Sequence, residues 1–94
     1  MIVINCSFTS ETTYMNDFFK VLVDRGLVAG SRADHGNQGY DFYINAEDPK
    51  KMMLIEKWET MEDLSAHSET ELFQTFRPTC KEFGVKSRLA MYEE

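Results

Sequence analysis

The first residues of the chain alternate in polarity with the period of a β-strand. The side chains of IVINCSFT, residues 2–9, fall into an apolar set and a more polar set: Ile2, Ile4, Cys6 and Phe8 against Val3, Asn5, Ser7 and Thr9. Because successive side chains of a strand point to opposite faces, this pattern predicts a first strand with one fully apolar face and with Asn5 on the other.

Three later segments also have the composition of strands. They are YDFYIN (40–45), MMLIEKWE (52–59) and VKSRLAMY (85–92). Only AEDPKK separates the first two, and Pro49 within it is a turn former, so we expect these two strands to pair as a hairpin.

The stretch after the first strand has apolar residues at helical spacing. Ser10 is a candidate N-cap for a helix from Glu11 to about Arg25. Gly26 is expected to interrupt this helix, and LVAGSRAD then resumes a short helical turn before the glycine-rich loop HGNQG.

The stretch after the third strand predicts several short helices. Thr60 is followed three residues later by Asp63, which resembles a capping box, and SETE (68–71) repeats the pattern. Pro78 lacks a backbone N–H and is expected in the first turn of a restarted helix, which Gly84 ends.

The predicted element order is βαββαβ, in one domain spanning residues 1–94. This order is typical of the ferredoxin-like α+β fold, in which an antiparallel sheet carries both helical segments on one face. The other face is then uncovered, yet MIVI and MMLI are apolar on consecutive residues, as in strands buried on both sides. A homodimer with its two sheets face to face would bury that face in a twofold interface. We therefore expect a dimeric α+β barrel.

Charge and composition exclude several classes of partner. The formal net charge is −6 and no cluster of Lys and Arg interrupts it, which argues against nucleic acid. No apolar run approaches the roughly 18 residues that span a bilayer, and no signal-peptide pattern is present, so we expect a cytoplasmic protein without a membrane partner. Cys6 and Cys80 lie in apolar patterns, and we interpret them as core residues rather than metal ligands.

Two segments together resemble the antibiotic biosynthesis monooxygenase domain family. SRADHGNQGYD is similar to the family pattern S-R-x-E-x-G-(C/N)-x-x-Y-D, and EKWETMEDLSAH is similar to E-x-W-x-s-x-x-x-L-x-x-H. The residues in register are Ser31, Arg32, Gly36, Tyr40, Glu56, Trp58, Leu64 and His67, and the likeness extends over residues 2–92.

This resemblance implies a dimeric α+β barrel and a function among quinol monooxygenases, polyketide oxidases, haem-degrading enzymes and proteins that process a phosphorylated sugar. Many relatives carry a second histidine five residues after the first, where this chain has Leu72. The haem-degrading branch has an axial histidine near position 77, where this chain has Arg77, and a guanidinium cannot ligate iron. We expect no haem and no other cofactor.

Trp58 and His67 are the candidate catalytic residues. Trp58 shares a strand face with Glu56, and it is either a core aromatic or the wall on which a planar substrate stacks. A histidine has an ordinary pKa of about 6.5, which suits it to remove a phenolic proton. We expect His67 to be a helix-surface imidazole that converges with Trp58 on one cavity, although a solvent-facing histidine without a role is the simpler alternative.

Four residues are candidates for substrate binding: Asn5, Phe18, Phe73 and Phe76. Asn5 would hydrogen-bond a substrate oxygen, whereas the three phenylalanines are core residues unless they line a cavity between the helices and the sheet. Glu56 needs a partner if it is buried, and Arg32 is the expected one. His35 is expected at the surface.

The leading hypothesis is a monooxygenase that acts without a cofactor on a small electron-rich aromatic molecule, such as a quinol or phenol, with dioxygen. Such a reaction needs a base, an apolar pocket and a hydrogen bond to the developing oxyanion. The alternatives are a non-catalytic module that binds or senses a small molecule, and an enzyme that processes a small phosphorylated metabolite.

Overall fold

The computed structural model describes residues 1–94 as a single antiparallel sheet with five helices. The elements are β1 (Ile2–Ser10), α1 (Met15–Asp24), α2 (Leu27–Ala33), β2 (Asn37–Ile44), β3 (Lys51–Trp58), α3 (Met61–Ser68), α4 (Glu71–Gln74), α5 (Phe76–Glu82) and β4 (Val85–Glu93). The strand order is β2-β3-β1-β4, and every neighbouring pair is antiparallel. The predicted ferredoxin-like fold is confirmed, with the first helical segment divided into two helices and the second into three.

One face of the sheet packs against the helices and forms the main core. Phe8 of β1 and Leu54 of β3 are fully buried there, together with Phe18 and Leu22 of α1. Phe8 contacts Phe18 with ring centroids 5.9 Å apart. Cys6 and Cys80 are free and buried in the same cluster, as the sequence predicts.

The start of α1 differs from the prediction. The Ser10 hydroxyl accepts hydrogen bonds from the backbone N–H groups of Thr12 and Thr13, so it closes a turn instead of capping a helix. The helix begins only at Met15, whose N–H donates to the carbonyl of Pro49. The hairpin turn therefore supplies the acceptor that a capping side chain would otherwise provide.

Helix starts in the second half agree with the prediction at two of three positions. Thr60 caps α3 by accepting from the N–H of Asp63, and Pro78 lies in the first turn of α5. Ser68 is not a cap, because its hydroxyl donates back to the carbonyl of Leu64. Thr70 caps α4 instead by accepting from the N–H of Phe73, so the N-cap lies two residues later than predicted.

The second face of the sheet is open and mixed in polarity. Asn5 lies on this face, opposite Ile55 of β3 and Ala90 of β4, and it is half-buried. Tyr43 and Tyr92 are exposed. The predicted homodimer would bury these two tyrosines. No helix of the structure is long and apolar enough to cross a membrane.

Candidate active site

Trp58 and His67 lie against each other at one end of the sheet. Trp58 is the last residue of β3 and faces the helices, and the capping of α3 by Thr60 turns the chain back so that His67 lies over the indole. The ring centroids are 4.5 Å apart and the rings are inclined by 33°. Both side chains are buried, with 0% and 3% of their surface exposed. The expectation of a helix-surface imidazole is therefore wrong, because α3 packs its histidine inward.

A carboxylate fixes one nitrogen of His67. Nδ1 lies 2.6 Å from Oδ2 of Asp34, the residue that ends α2. Since a carboxylate can only accept, Nδ1 donates and carries the proton of the neutral ring. Nε2 then has the free lone pair, and this buried atom makes no hydrogen bond with any protein group.

Glu56 lies close to that lone pair. Its Oε1 lies 4.0 Å from Nε2 of His67 and accepts a hydrogen bond of 3.1 Å from Nε1 of Trp58. Because the carboxyl is buried, its pKa is raised above the ordinary value of 4.5, and the Trp58 hydrogen bond and His67 only partly oppose this shift. Asp34, His67 and Glu56 therefore lie in a row, with a hydrogen bond between Asp34 and His67 and a gap of 4.0 Å between His67 and Glu56.

The expected ion pair between Glu56 and Arg32 is not formed. Arg32 donates from Nε and Nη2 to the carbonyl of Tyr40, at 3.1 and 2.9 Å, and its nearest carboxylate is that of Asp41. The guanidinium lies at the edge of β2, whereas Glu56 points into the helix-covered side of the sheet. The buried carboxyl is satisfied by indole instead.

A cavity of about 280 Å³ lies between the sheet and the helices α4 and α5, and Glu56 is part of its wall. Most of the lining is apolar or aromatic, and it comes from all of the strands as well as both helices: Cys6, Tyr40, Leu54, Glu56, Phe73, Gln74, Phe76, Arg77, Ser87 and Leu89. Arg77, an exposed residue, is the one cationic side chain among these. The cavity can therefore hold a small ring system with a polar substituent next to Glu56.

Burial controls the protonation of the other groups in this wall. It raises the pKa of the Cys6 thiol to about 12, so the thiol stays protonated and is a poor nucleophile. It also raises the pKa of the Tyr40 hydroxyl, which is thereby kept as a hydrogen-bond donor. No group of three or more His, Cys, Asp or Glu side chains in the structure is arranged to hold a metal ion. Glu56 is thus the group in the cavity best suited to accept a proton.

The residues proposed from the sequence occupy four different environments. Phe73 and Phe76 line the cavity. Trp58 and His67 lie together in the layer behind Glu56, and neither forms part of the wall. Phe18 is fully buried in the main core, and Asn5 lies on the opposite face of the sheet. In this geometry Asn5 and Phe18 are not placed to contact a molecule in the cavity.

Asp34 and most of the cavity wall, including Tyr40, are not among the site residues that the sequence predicts. Glu56 is expected from the sequence only as a structural ion-pair partner. Its signal was present in the sequence, because Glu56 and Trp58 are two residues apart on one strand and therefore share a face. Asp34 gives no such signal, since it is 33 residues from His67 and the two meet only when α3 packs beside the end of α2.

Comparison with known proteins relates this geometry to a family. The sequence profile described as "Antibiotic biosynthesis monooxygenase" matches residues 1–79. The chain is 34% identical over 58 residues to the "Putative monooxygenase YcnE" of Bacillus subtilis (strain 168), a match that covers 62% of this chain. The chain spans 61% of the length of that curated relative.

Solved structures share the fold over almost the whole chain. One is described as a "putative antibiotic biosynthesis monooxygenase" from Deinococcus radiodurans; it has a TM-score of 0.88 at 15% identity and covers 100% of this chain and 92% of its own. Another is SnoaB, a cofactor-independent oxygenase from Streptomyces nogalater, with a TM-score of 0.83 at 11% identity, covering 99% and 91%. The profile match includes the segments that carry Asp34, Glu56, Trp58 and His67, and the chain belongs to the antibiotic biosynthesis monooxygenase family.

Proposed function

We propose that this protein is a monooxygenase that oxidises a small electron-rich aromatic molecule, of the quinol or phenol type, with dioxygen. The observation that supports this proposal most strongly is the line from Asp34 through His67 to Glu56, which ends at an apolar cavity. Family membership and the name of the Bacillus subtilis relative support the reaction class. The geometry adds a proton acceptor and a place for the ring.

The size and lining of the cavity favour a small substrate. Its volume of about 280 Å³ lies just below the usual range of ligand sites, which is about 300 to 1,000 Å³. Phe73 and Phe76 offer aromatic contacts, whereas Leu54 and Cys6 form an apolar floor. A ring system carrying hydroxyl groups fits this chemistry, with one hydroxyl directed at Glu56.

The first step is removal of a proton from that hydroxyl. Glu56 accepts the proton, and its raised pKa makes it a stronger base than an exposed carboxylate. His67 lies directly behind Glu56 and can take the proton in turn at Nε2. The resulting anion then lies beside the buried Glu56 and Tyr40, where a lower local dielectric constant strengthens its interaction with donors such as the Tyr40 hydroxyl.

The second step is the reaction of the deprotonated ring with dioxygen. The electron-rich ring supplies the electrons, a carbon–oxygen bond forms, and the O–O bond then breaks. One oxygen atom stays in the product and the other leaves as water with two hydrogens from the substrate. The substrate thus loses two hydrogens and gains one oxygen, so the reaction is balanced without a further reductant.

The homodimer is part of the same proposal. The open sheet face has the half-buried Asn5 and Ser7 near its centre and the exposed Tyr43 and Tyr92 toward its sides. A second copy packed on this face would bury the tyrosines and leave the cavity, which lies on the helix-covered side, accessible. Sedimentation equilibrium tests this part, and a monomer at micromolar concentration would contradict it.

Oxygen uptake with labelled oxygen tests the function. The protein is incubated with a panel of quinols, naphthols and substituted phenols, and the consumption of dioxygen is followed with an oxygen electrode. In parallel reactions under ¹⁸O₂, the masses of the products are measured by mass spectrometry. We expect protein-dependent uptake for at least one compound and one ¹⁸O atom in its product. If no member of the panel is consumed, and a compound retained from the host is bound but unchanged, the protein is a binding module instead.

A further inference from the structure

His67 lies between two carboxyl groups that reach different environments. Asp34 contacts Nδ1 and has 29% of its side chain exposed to solvent, whereas Glu56 is nearest to Nε2 and reaches the cavity. We infer that Asp34 is a positioning residue, which holds His67 in the tautomer protonated at Nδ1 and stabilises the imidazolium that forms when Nε2 accepts the substrate's proton through Glu56. This inference rests on the proposed function for its catalytic part.

The contact with Asp34 determines which nitrogen is free. The distance of 2.6 Å is that of a short, charge-assisted hydrogen bond, and a carboxylate offers no proton of its own. The other tautomer would place the Nδ1 lone pair against the carboxylate, so it is strongly disfavoured. The free lone pair is therefore at Nε2, on the side of Glu56.

The free nitrogen is the unusual feature of this site. Nε2 is buried and has no hydrogen-bond partner in the protein, and native proteins contain few such atoms because leaving them unpaired is destabilising. The Oε1 atom of Glu56 lies 4.0 Å away, so a shift of about 1 Å brings it within hydrogen-bond distance. Once Glu56 holds the proton, it becomes the donor that Nε2 lacks.

The surroundings of His67 prevent the ring from turning away. The indole of Trp58 covers one side at 4.5 Å, and the ring of Phe73 meets it edge-on at 5.1 Å. Two carboxyl groups face the imidazole, those of Asp34 and Glu56, and the ring of Tyr40 lies farther away, with its centroid at 6.3 Å. Because Glu56 is the carboxyl group near Nε2, we expect a proton to reach and leave Nε2 through Glu56.

The proton remains in the site during the reaction. It leaves the substrate hydroxyl for Glu56, passes to Nε2 of His67, and is held there as imidazolium beside the Asp34 carboxylate. It returns by the same route to the oxygen atom that departs as water. The relay therefore acts first as base and then as acid, and no net proton is gained or lost.

Nitrogen NMR on histidine-labelled protein reads the tautomer directly. The chain has two histidines, and His35 is an internal reference because its side chain is 94% exposed. The test variant is Asp34→Asn, which keeps the shape but removes the charge and offers a donor to Nδ1. The matched control is Asp63→Asn, which makes the same change in the carboxyl 3.8 Å from His35.

We expect wild-type His67 to carry its proton on Nδ1, and the Asp34→Asn variant to shift the proton toward Nε2. We also expect this variant to lose about 10²-fold or more in kcat with little change in KM, as for removal of a general acid–base group. Asp63→Asn should leave the His67 signals and kcat unchanged. A wild-type His67 protonated on Nε2, or full activity in Asp34→Asn, would overturn the inference. The spectra are recorded without substrate, so they test the tautomer independently of turnover. A tautomer protonated on Nε2 would overturn this inference, whereas an absence of oxygen uptake would overturn the proposed function.

Discussion

Replacing Glu56 with glutamine should make the protein more stable at neutral pH while removing its activity. A carboxamide has nearly the shape of the carboxyl, so its oxygen can still accept from Nε1 of Trp58, a bond of 3.1 Å in the native protein. The amide carries no charge, so burial no longer disfavours an ionised group at this position. The substitution therefore removes a buried ionisable group and keeps the hydrogen bond to Trp58.

The scale of the effect follows from the raised pKa of Glu56. Removing the penalty on a buried carboxylate is worth about 1.4 kcal/mol for each tenfold change in its acid dissociation constant. For a domain of this size, 1 kcal/mol corresponds to about 4 to 8 °C in Tm. We therefore expect a higher Tm for Glu56→Gln than for the wild type at pH 7.5.

The pH dependence gives the sign of the effect independently. The pKa of Glu56 is raised in the folded state, so its contribution to the stability of the wild type is fully present below 4.5 and is lost as the pH rises through the folded-state pKa. Glutamine does not titrate. The advantage of Glu56→Gln over the wild type should therefore be small at pH 4 and larger at pH 7.5.

Urea unfolding at pH 4 and pH 7.5 measures the difference in the free energy of unfolding between the wild type and Glu56→Gln. The comparison holds if the two proteins have equal m-values. The same samples are assayed for oxygen uptake, which should fall by about 10²-fold or more. A variant that is less stable than the wild type at pH 7.5, an advantage that shrinks as the pH rises, or retained turnover would each refute the reasoning.

Three further substitutions test other parts of the account. Trp58→Ala should cost about 3 to 5 kcal/mol in the free energy of unfolding, because the indole is fully buried, and thermal unfolding measures this; a loss below 1 kcal/mol would contradict the packing described. Phe73→Ala should raise KM about tenfold through lost ring contact with substrate, as measured by initial rates, and an unchanged KM would place the substrate elsewhere. Gly36→Ala should destabilise by more than Gly26→Ala. Both glycines have positive φ, but only a Cβ at Gly36 would overlap a side chain, that of Asp63, and equal urea midpoints would argue against this contact.

The fold could be predicted almost entirely from the sequence, because period-two alternation and glycine positions determine where strands and helices lie. The errors fall at helix starts, where a hydroxyl can serve several acceptors and donors within a few residues. Ser10 closes a turn and Thr70 caps α4, and the sequence does not distinguish these uses from the predicted ones.

The site could be predicted only in part. Trp58 and His67 do meet, because a short capped helix directly after a strand must fold back over its end. Their depth could not be foreseen, since it depends on how α4 packs over Phe73, and this contact is tertiary. The contact of Asp34 with His67 has no sequence signal for the same reason. The predicted pair of Glu56 and Arg32 does not form, because Arg32 donates to the backbone carbonyl of Tyr40 at the sheet edge.

The central claim is that Glu56, in the wall of the cavity, removes a proton from a phenolic hydroxyl. The absorption spectrum of a bound ligand under anaerobic conditions tests this claim most directly. Without dioxygen the reaction stops after the first step, so a bound naphthol or quinol accumulates as its anion, which absorbs at longer wavelength than the neutral form. We predict this anion spectrum with the wild type below the ordinary pKa of the ligand, and only the neutral spectrum with Glu56→Gln. A ligand that binds the wild type with saturation but keeps its neutral spectrum would contradict the account.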